Sequence, residues 1–111
     1  MRHEDFNTIV NHRFEECAKV LIRKDKEYSS GTDRLHNFYR AAALMDCTPV
    51  EALLGMWAKH LVSIIDVVQR MTRERGYVPS QELVAEKFGD NINYTLLLEG
   101  LIEDARREGG L

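Results

Sequence analysis

T-P-V-E-A-L-L-G-M-W-A-K-H-L-V-S-I-I-D-V-V-Q-R-M-T-R-E, Thr48 to Glu74, is the stretch that decides the fold. Thr48 is a capping residue, Pro49 follows where a missing N–H costs nothing, and Glu51 completes a capping box. Beyond it Val50, Leu54, Trp57, Leu61, Ile64, Val68 and Met71 recur at alternating steps of four and three. That spacing is a coiled-coil-like seam about three heptads long. Leu53, Met56 and Val67 widen it into the apolar face of a bundle helix. The pattern predicts an unbroken helix from Pro49 to about Glu74, ended by Gly76 and Pro79.

The same period continues on both sides. From about His3 to Tyr28, Phe6, Ile9, Val10, Phe14, Cys17, Val20 and Leu21 fall at helical spacing, and Ser29, Ser30 and Gly31 break the run. A shorter segment, about Leu35 to Asp46, aligns Phe38, Ala42 and Met45. Ser80 caps the last segment, in which Val84, Phe88, Ile92, Thr95, Leu98 and Ile102 share a face as far as about Arg107. No segment alternates with period two for long, so strands are not expected. The chain reads as one all-α domain over residues 1–111, a helical bundle of three long helices and one short helix. The apolar seams on the third and last helices are wider than so short a chain covers alone. A homo-oligomer, a dimer first, is therefore expected.

Composition narrows the classes of function. At 111 residues, 44% hydrophobic and 30% charged, the chain is long enough for its own core. A net charge of −3 provides no basic footprint for direct nucleic-acid binding. No run approaches the roughly 18 apolar residues of a membrane span. Cys17 and Cys47 form no close motif, and M-R-H-E-D-F-N at the start carries no apolar signal region. Free thiols in a cytoplasmic, reducing compartment are the expectation.

The chemistry concentrates in E-K-F-G-D-N-I-N-Y, Glu86 to Tyr94. Asp and Asn are poor helix-interior residues because their short polar side chains compete for the backbone, and Gly89 adds roughly 1 kcal/mol of further cost. Helical spacing places Glu82, Glu86, Asp90 and Asn93 in one stripe that runs on into Leu97 and Leu101, so the line enters the core. On the third helix Ala52, Gly55, Lys59, Ser63 and Asp66 form a comparable line. If the two helices pack antiparallel, Lys59 or Asp66 can approach Asp90 or Asn93. Asp90 and Glu86 are the candidate Mg²⁺ ligands, because that ion takes oxygen donors and bridges to phosphate. Lys59 would face phosphate, and Gly89 would let a neighbouring helix or ligand come close. Further polar side chains cluster where the first helix meets the second: Lys26, Tyr28, Thr32, Asp33, Arg34, His36 and Asn37. His36 and His60 lack zinc-ligand spacing.

K-D-K-E-Y-S-S-G, then H-N-F-Y-R-A-A-A-L, then the T-P-capped helix with a central lysine, then D-N-I-N-Y-T-L-L-L, span Lys24 to Leu98. In that order they resemble small phage and prophage proteins of the nucleotide-modification-associated type. More distantly the chain is similar to the all-α NTP pyrophosphatases, MazG-like and dimeric dUTPase-like. The resemblance implies a nucleotide or nucleoside phosphate partner and Mg²⁺, in a bacterial or phage-infected cell. It implies a site at Asp90, Glu86 and Lys59, with Asn93, Tyr94, Asp66, His36, Asn37, Lys26 and Tyr28 around the ligand. The pyrophosphatase pattern E-E-x-x-E has Lys19 where its third acid would stand, and Glu86 and Asp90 are four apart rather than three. Two functions stay open: a nucleotide-directed protein, enzyme or binder, and a non-enzymatic helical interaction module whose polar stripe fixes helix register.

Overall fold

A computed structural model describes the backbone of residues 1–28 and 34–109, and the side chains of residues 1–22 and 34–109. Four helices follow one another: α1 (His3–Tyr28), α2 (His36–Met45), α3 (Pro49–Arg73) and α4 (Gln81–Arg107). There is no strand among the described residues.

The local signals act where the sequence places them. Thr48 Oγ1 accepts from the Glu51 N–H at 3.2 Å, and the Glu51 carboxylate accepts from the Thr48 N–H at 3.0 Å, closing the capping box of α3. Ser80 Oγ accepts from the Leu83 N–H at 3.1 Å and starts α4. Asp46 ends α2 in the left-handed region at φ 53°, which a short polar side chain tolerates. Gly76, at φ +87°, turns the chain after α3. Beside it the Arg70 guanidinium bonds Glu74 at 3.1 Å and lies 3.9 Å from the Tyr77 ring centre.

α4 is the central helix: α3 and α1 both pack on it, and α2 packs on α3. Trp57 lies against Tyr94 and His60 against Asp90, while Ile64 and Phe88 share one groove. Residue numbers fall on α4 as they rise on α3, so these two helices are antiparallel. α1 runs with α4 instead, since Ile9 borders a cleft with Val84, and Leu21 one with Leu97.

The core sits where α2, α3 and α4 meet. Leu53 and Leu101 are fully buried there and Phe38 nearly so, enclosed by Leu35, Tyr39, Val50, Trp57, Tyr94, Leu97 and Leu98. Burying a Leu or Phe side chain contributes about 1.5–3 kcal/mol. The wide face of α3 is divided. Leu53 and Val67 are buried, whereas Leu54, Leu61, Val68 and Met71 of the heptad seam stay exposed. The radius of gyration is 16.6 Å, against about 13 Å for a compact domain of this length. The bundle is open.

Candidate functional site

The turn of α4 from Gly89 to Tyr94 faces both of its neighbours. Towards α3 stands Asn91. Its Oδ1 accepts from the Trp57 indole N–H at 2.8 Å, and its Nδ2 donates to the backbone carbonyls of His60 at 3.0 Å and Lys87 at 2.7 Å. This carboxamide ties α3 to α4 and fixes their register. In that register His60 Nδ1 lies 3.6 Å from Asp90 Oδ2, both groups partly buried. The Tyr94 ring lies beside both aromatic neighbours, 6.1 Å from Trp57 in a stacked arrangement and 5.1 Å from His60. Burial, then the nearby Asp90 charge, pushes the Tyr94 phenol above its ordinary range.

Towards α1 the same turn forms the floor of a cleft of about 330 Å³, lined by His12, Arg13, Glu16, Cys17, Val20, Ala85, Gly89, Asp90 and Asn93. Cys17 is buried, and its Sγ lies 3.8 Å from the Gly89 carbonyl oxygen. Burial raises the thiol above its ordinary range, the neighbouring Arg13 opposes this, and Asp90 and Glu16 add to it. Asp90 and Asn93 also border a second recess of about 180 Å³, together with Arg34, Asn37, Phe38 and Tyr94.

Asn93 joins the two spaces. It is 7% exposed, and its Oδ1 accepts no hydrogen bond among the described residues. A buried amide oxygen without a donor costs about 1–3 kcal/mol, because folding strips its water and returns nothing. The unfavourable polar run E-K-F-G-D-N-I-N-Y thus divides by residue. Asn91 is structural, Asp90 faces a histidine, and Asn93 borders two clefts with a buried oxygen that has no donor among the described residues.

Of the residues singled out in the sequence, Asp90, Asn93, Tyr94 and Asn37 come together around the second recess. His36, partly buried, begins α2 one residue before Asn37. Lys59 and Asp66 are exposed on α3, because the Asn91 tie turns His60 toward Asp90 in place of Lys59. Glu86 is exposed, with a carboxylate oxygen 3.9 Å from Lys87 Nζ. The Lys26 and Tyr28 side chains, like Thr32 and Asp33, lie outside the described residues. A Cβ added at Gly89 would meet Arg13 and Cys17 only at 4.0 Å, so close approach of the neighbouring helix is not what requires glycine there.

Arg13, Trp57 and His60 join this region without a site role expected from the sequence, and Asn91, inside the polar stretch, takes a structural role. Arg13 is one turn before Cys17 on the apolar side of α1, and Asn91 is one turn before Thr95 on the apolar line of α4. Those positions were the available signal.

The described residues contain no group of three or more His, Cys, Asp or Glu side chains placed to hold a metal ion. Mg²⁺ demands near-octahedral oxygen ligation. A cage made by these residues alone does not fit it, whereas a single bond from Asp90 to an ion carried on phosphates needs no such cluster. No helix among the described residues is long and apolar enough to cross a membrane. Both cysteines are free thiols. Compared with known proteins, the chain matches no family model, no curated protein and no solved structure.

Proposed function

We propose that this chain is a cytoplasmic, nucleotide-directed protein that binds a nucleoside phosphate at the Asp90–Asn93 turn of α4. The observation that carries the reading is Asn93, which borders both clefts and whose buried amide oxygen has no donor among the described residues. A carboxamide is suited to the donor and acceptor edge of a base. Its surroundings supply the other chemistry a nucleotide needs. Arg13 and Arg34 border the two spaces with guanidinium groups that match phosphate geometry, and Phe38 and Tyr94 offer aromatic surface. Asp90 is the partner for a sugar hydroxyl or for Mg²⁺ brought on the phosphates. With His60 beside it, Asp90 belongs to a carboxylate–imidazole couple of the kind that general-base chemistry uses. The resemblance to phage and prophage proteins of the nucleotide-modification-associated type points the same way. Assembly into a homo-oligomer belongs to this reading.

A second reading is favoured by the open bundle: a non-enzymatic helical interaction module whose exposed α1 and α3 faces meet other helices. The two separate in a thermal-shift panel of NTPs and dNTPs, with Mg²⁺ or with EDTA. A ligand at a hundredfold excess over its Kd stabilises the fold by about 2.7 kcal/mol. For a chain of this size that moves Tm by on the order of 10 °C. A shift confined to nucleotides supports the binder. No shift with any nucleotide under either condition leaves the interaction module.

A further inference from the structure

We infer that α3 is the interface of an antiparallel two-fold dimer, centred on Leu61. The exposed flank of α3 carries its own heptad line, Leu54, Ala58, Leu61, Ile65 and Val68, at steps of four, three, four and three. It is one residue out of step with the buried line of Leu53 and Val67. Leu54 is 55% exposed, Leu61 39%, Ile65 53% and Val68 56%, so the chain places a second apolar seam on this helix and leaves it uncovered. α1 does not serve as the cover, because its main packing is on α4. The seam runs about 21 Å from Leu54 to Val68 at 1.5 Å per residue. It borders an apolar groove of about 480 Å³ between α3 and α4, lined by Trp57, Leu61, Ile64, Ile65, Phe88 and Ile92 among others.

A second copy fits this line for two reasons. A reversed copy centred on Leu61 meets apolar residues along the whole seam, since Ala58 falls on Ile64 and Ile65 on Trp57. Leu54 stands seven residues before Leu61 and Val68 seven after, so reversing the helix lays Leu54 on Val68 and Leu61 on itself. An isologous two-fold contact requires that match. Ala58, the small residue of the line, lets the two backbones come close. The charges give the direction. The N-terminal end of α3 carries Glu51 and the C-terminal end carries Arg73, while Arg70 is taken up by Glu74 and Tyr77. An antiparallel pair sets each acidic end beside the other's basic end and opposes the helix dipoles. A parallel pair would set like charges together.

The dimer does not depend on what the Asp90–Asn93 turn binds, and it is tested without any nucleotide. Light scattering at micromolar concentration is expected to give twice the 12.8 kDa chain mass. Val68→Glu and Ile65→Glu, each placing a charge on the seam, should return it to 12.8 kDa with unchanged helical circular dichroism. Leu44→Glu, on an α2 side chain 87% exposed, should leave the dimer intact. Direction is read with a short thiol crosslinker on a Cys47→Ser background, since Cys17 is buried. Leu61→Cys should crosslink to itself. Leu54→Cys should crosslink only when mixed with Val68→Cys. A parent chain of monomer mass overturns the proposal. So does a dimer that survives both seam charges, or Leu54→Cys crosslinking to itself.

Discussion

Replacing Asn93 by leucine should make the protein more stable and less able to bind. Asn93 is 7% exposed and its Oδ1 has no donor among the described residues. The parent fold therefore carries an unmet desolvation cost of about 1–3 kcal/mol. Leucine removes that cost and adds buried apolar surface, while the adjoining clefts give its extra volume somewhere to go. The expected net gain is about 1–2 kcal/mol, the lower part of that range, because packing strain on a larger side chain takes some of it back. Tm should rise by about 4–8 °C by differential scanning calorimetry without ligand. Nucleotide binding should fall at least tenfold. Stability sacrificed for a binding site has this signature. A loss of 2 kcal/mol or more on Asn93→Leu would refute the reasoning, since it would mean that the amide already satisfies a structural role.

Three further outcomes follow from the same geometry. Trp57→Phe leaves the Asn91 Oδ1 acceptor, now met at 2.8 Å, without its donor; a cost of about 1–3 kcal/mol is expected in urea unfolding. Gly89→Ala should stabilise α4 by up to about 1 kcal/mol, because the new methyl has room; a loss in the same unfolding experiment would show that the cleft needs the space. Stability should also fall in alkali. Cys17 and Tyr94 both hold their protons more tightly folded than unfolded, so their contribution is complete below the ordinary values of 9.0 and 10.0. It is lost as pH rises through the higher folded values, and Cys17→Ser and Tyr94→Phe should each flatten that decline in denaturation curves taken from pH 7 to 11.

The helices were legible because their signals are local. The capping box at Thr48, the Ser80 cap and the 3.6-residue period require no knowledge of what lies opposite. The stripe from Glu86 through Asp90 to Asn93 was legible for the same reason, and Asn93 does enter the core. What could not be read was register. Lys59 and His60 are adjacent on α3, and one residue of helix is a rotation of about 100°, which decides which of them meets Asp90. That choice rests on the Asn91 carboxamide finding the Trp57 indole and the His60 carbonyl, a match made across 31–34 residues of chain. That the seam exceeds what the chain covers was legible, but which of its residues stay exposed was not, because a heptad seam looks the same whether its partner lies in the same chain or in another.

The most direct test is calorimetric titration of the intact protein, in Mg²⁺, with each of the eight common NTPs and dNTPs. The account predicts saturable heat with at least one of them at one site per chain. It predicts that Asp90→Asn abolishes that heat with Tm changed by only a few degrees. Absence of heat from all eight, or heat unchanged in Asp90→Asn, would contradict a nucleotide site at this turn of α4.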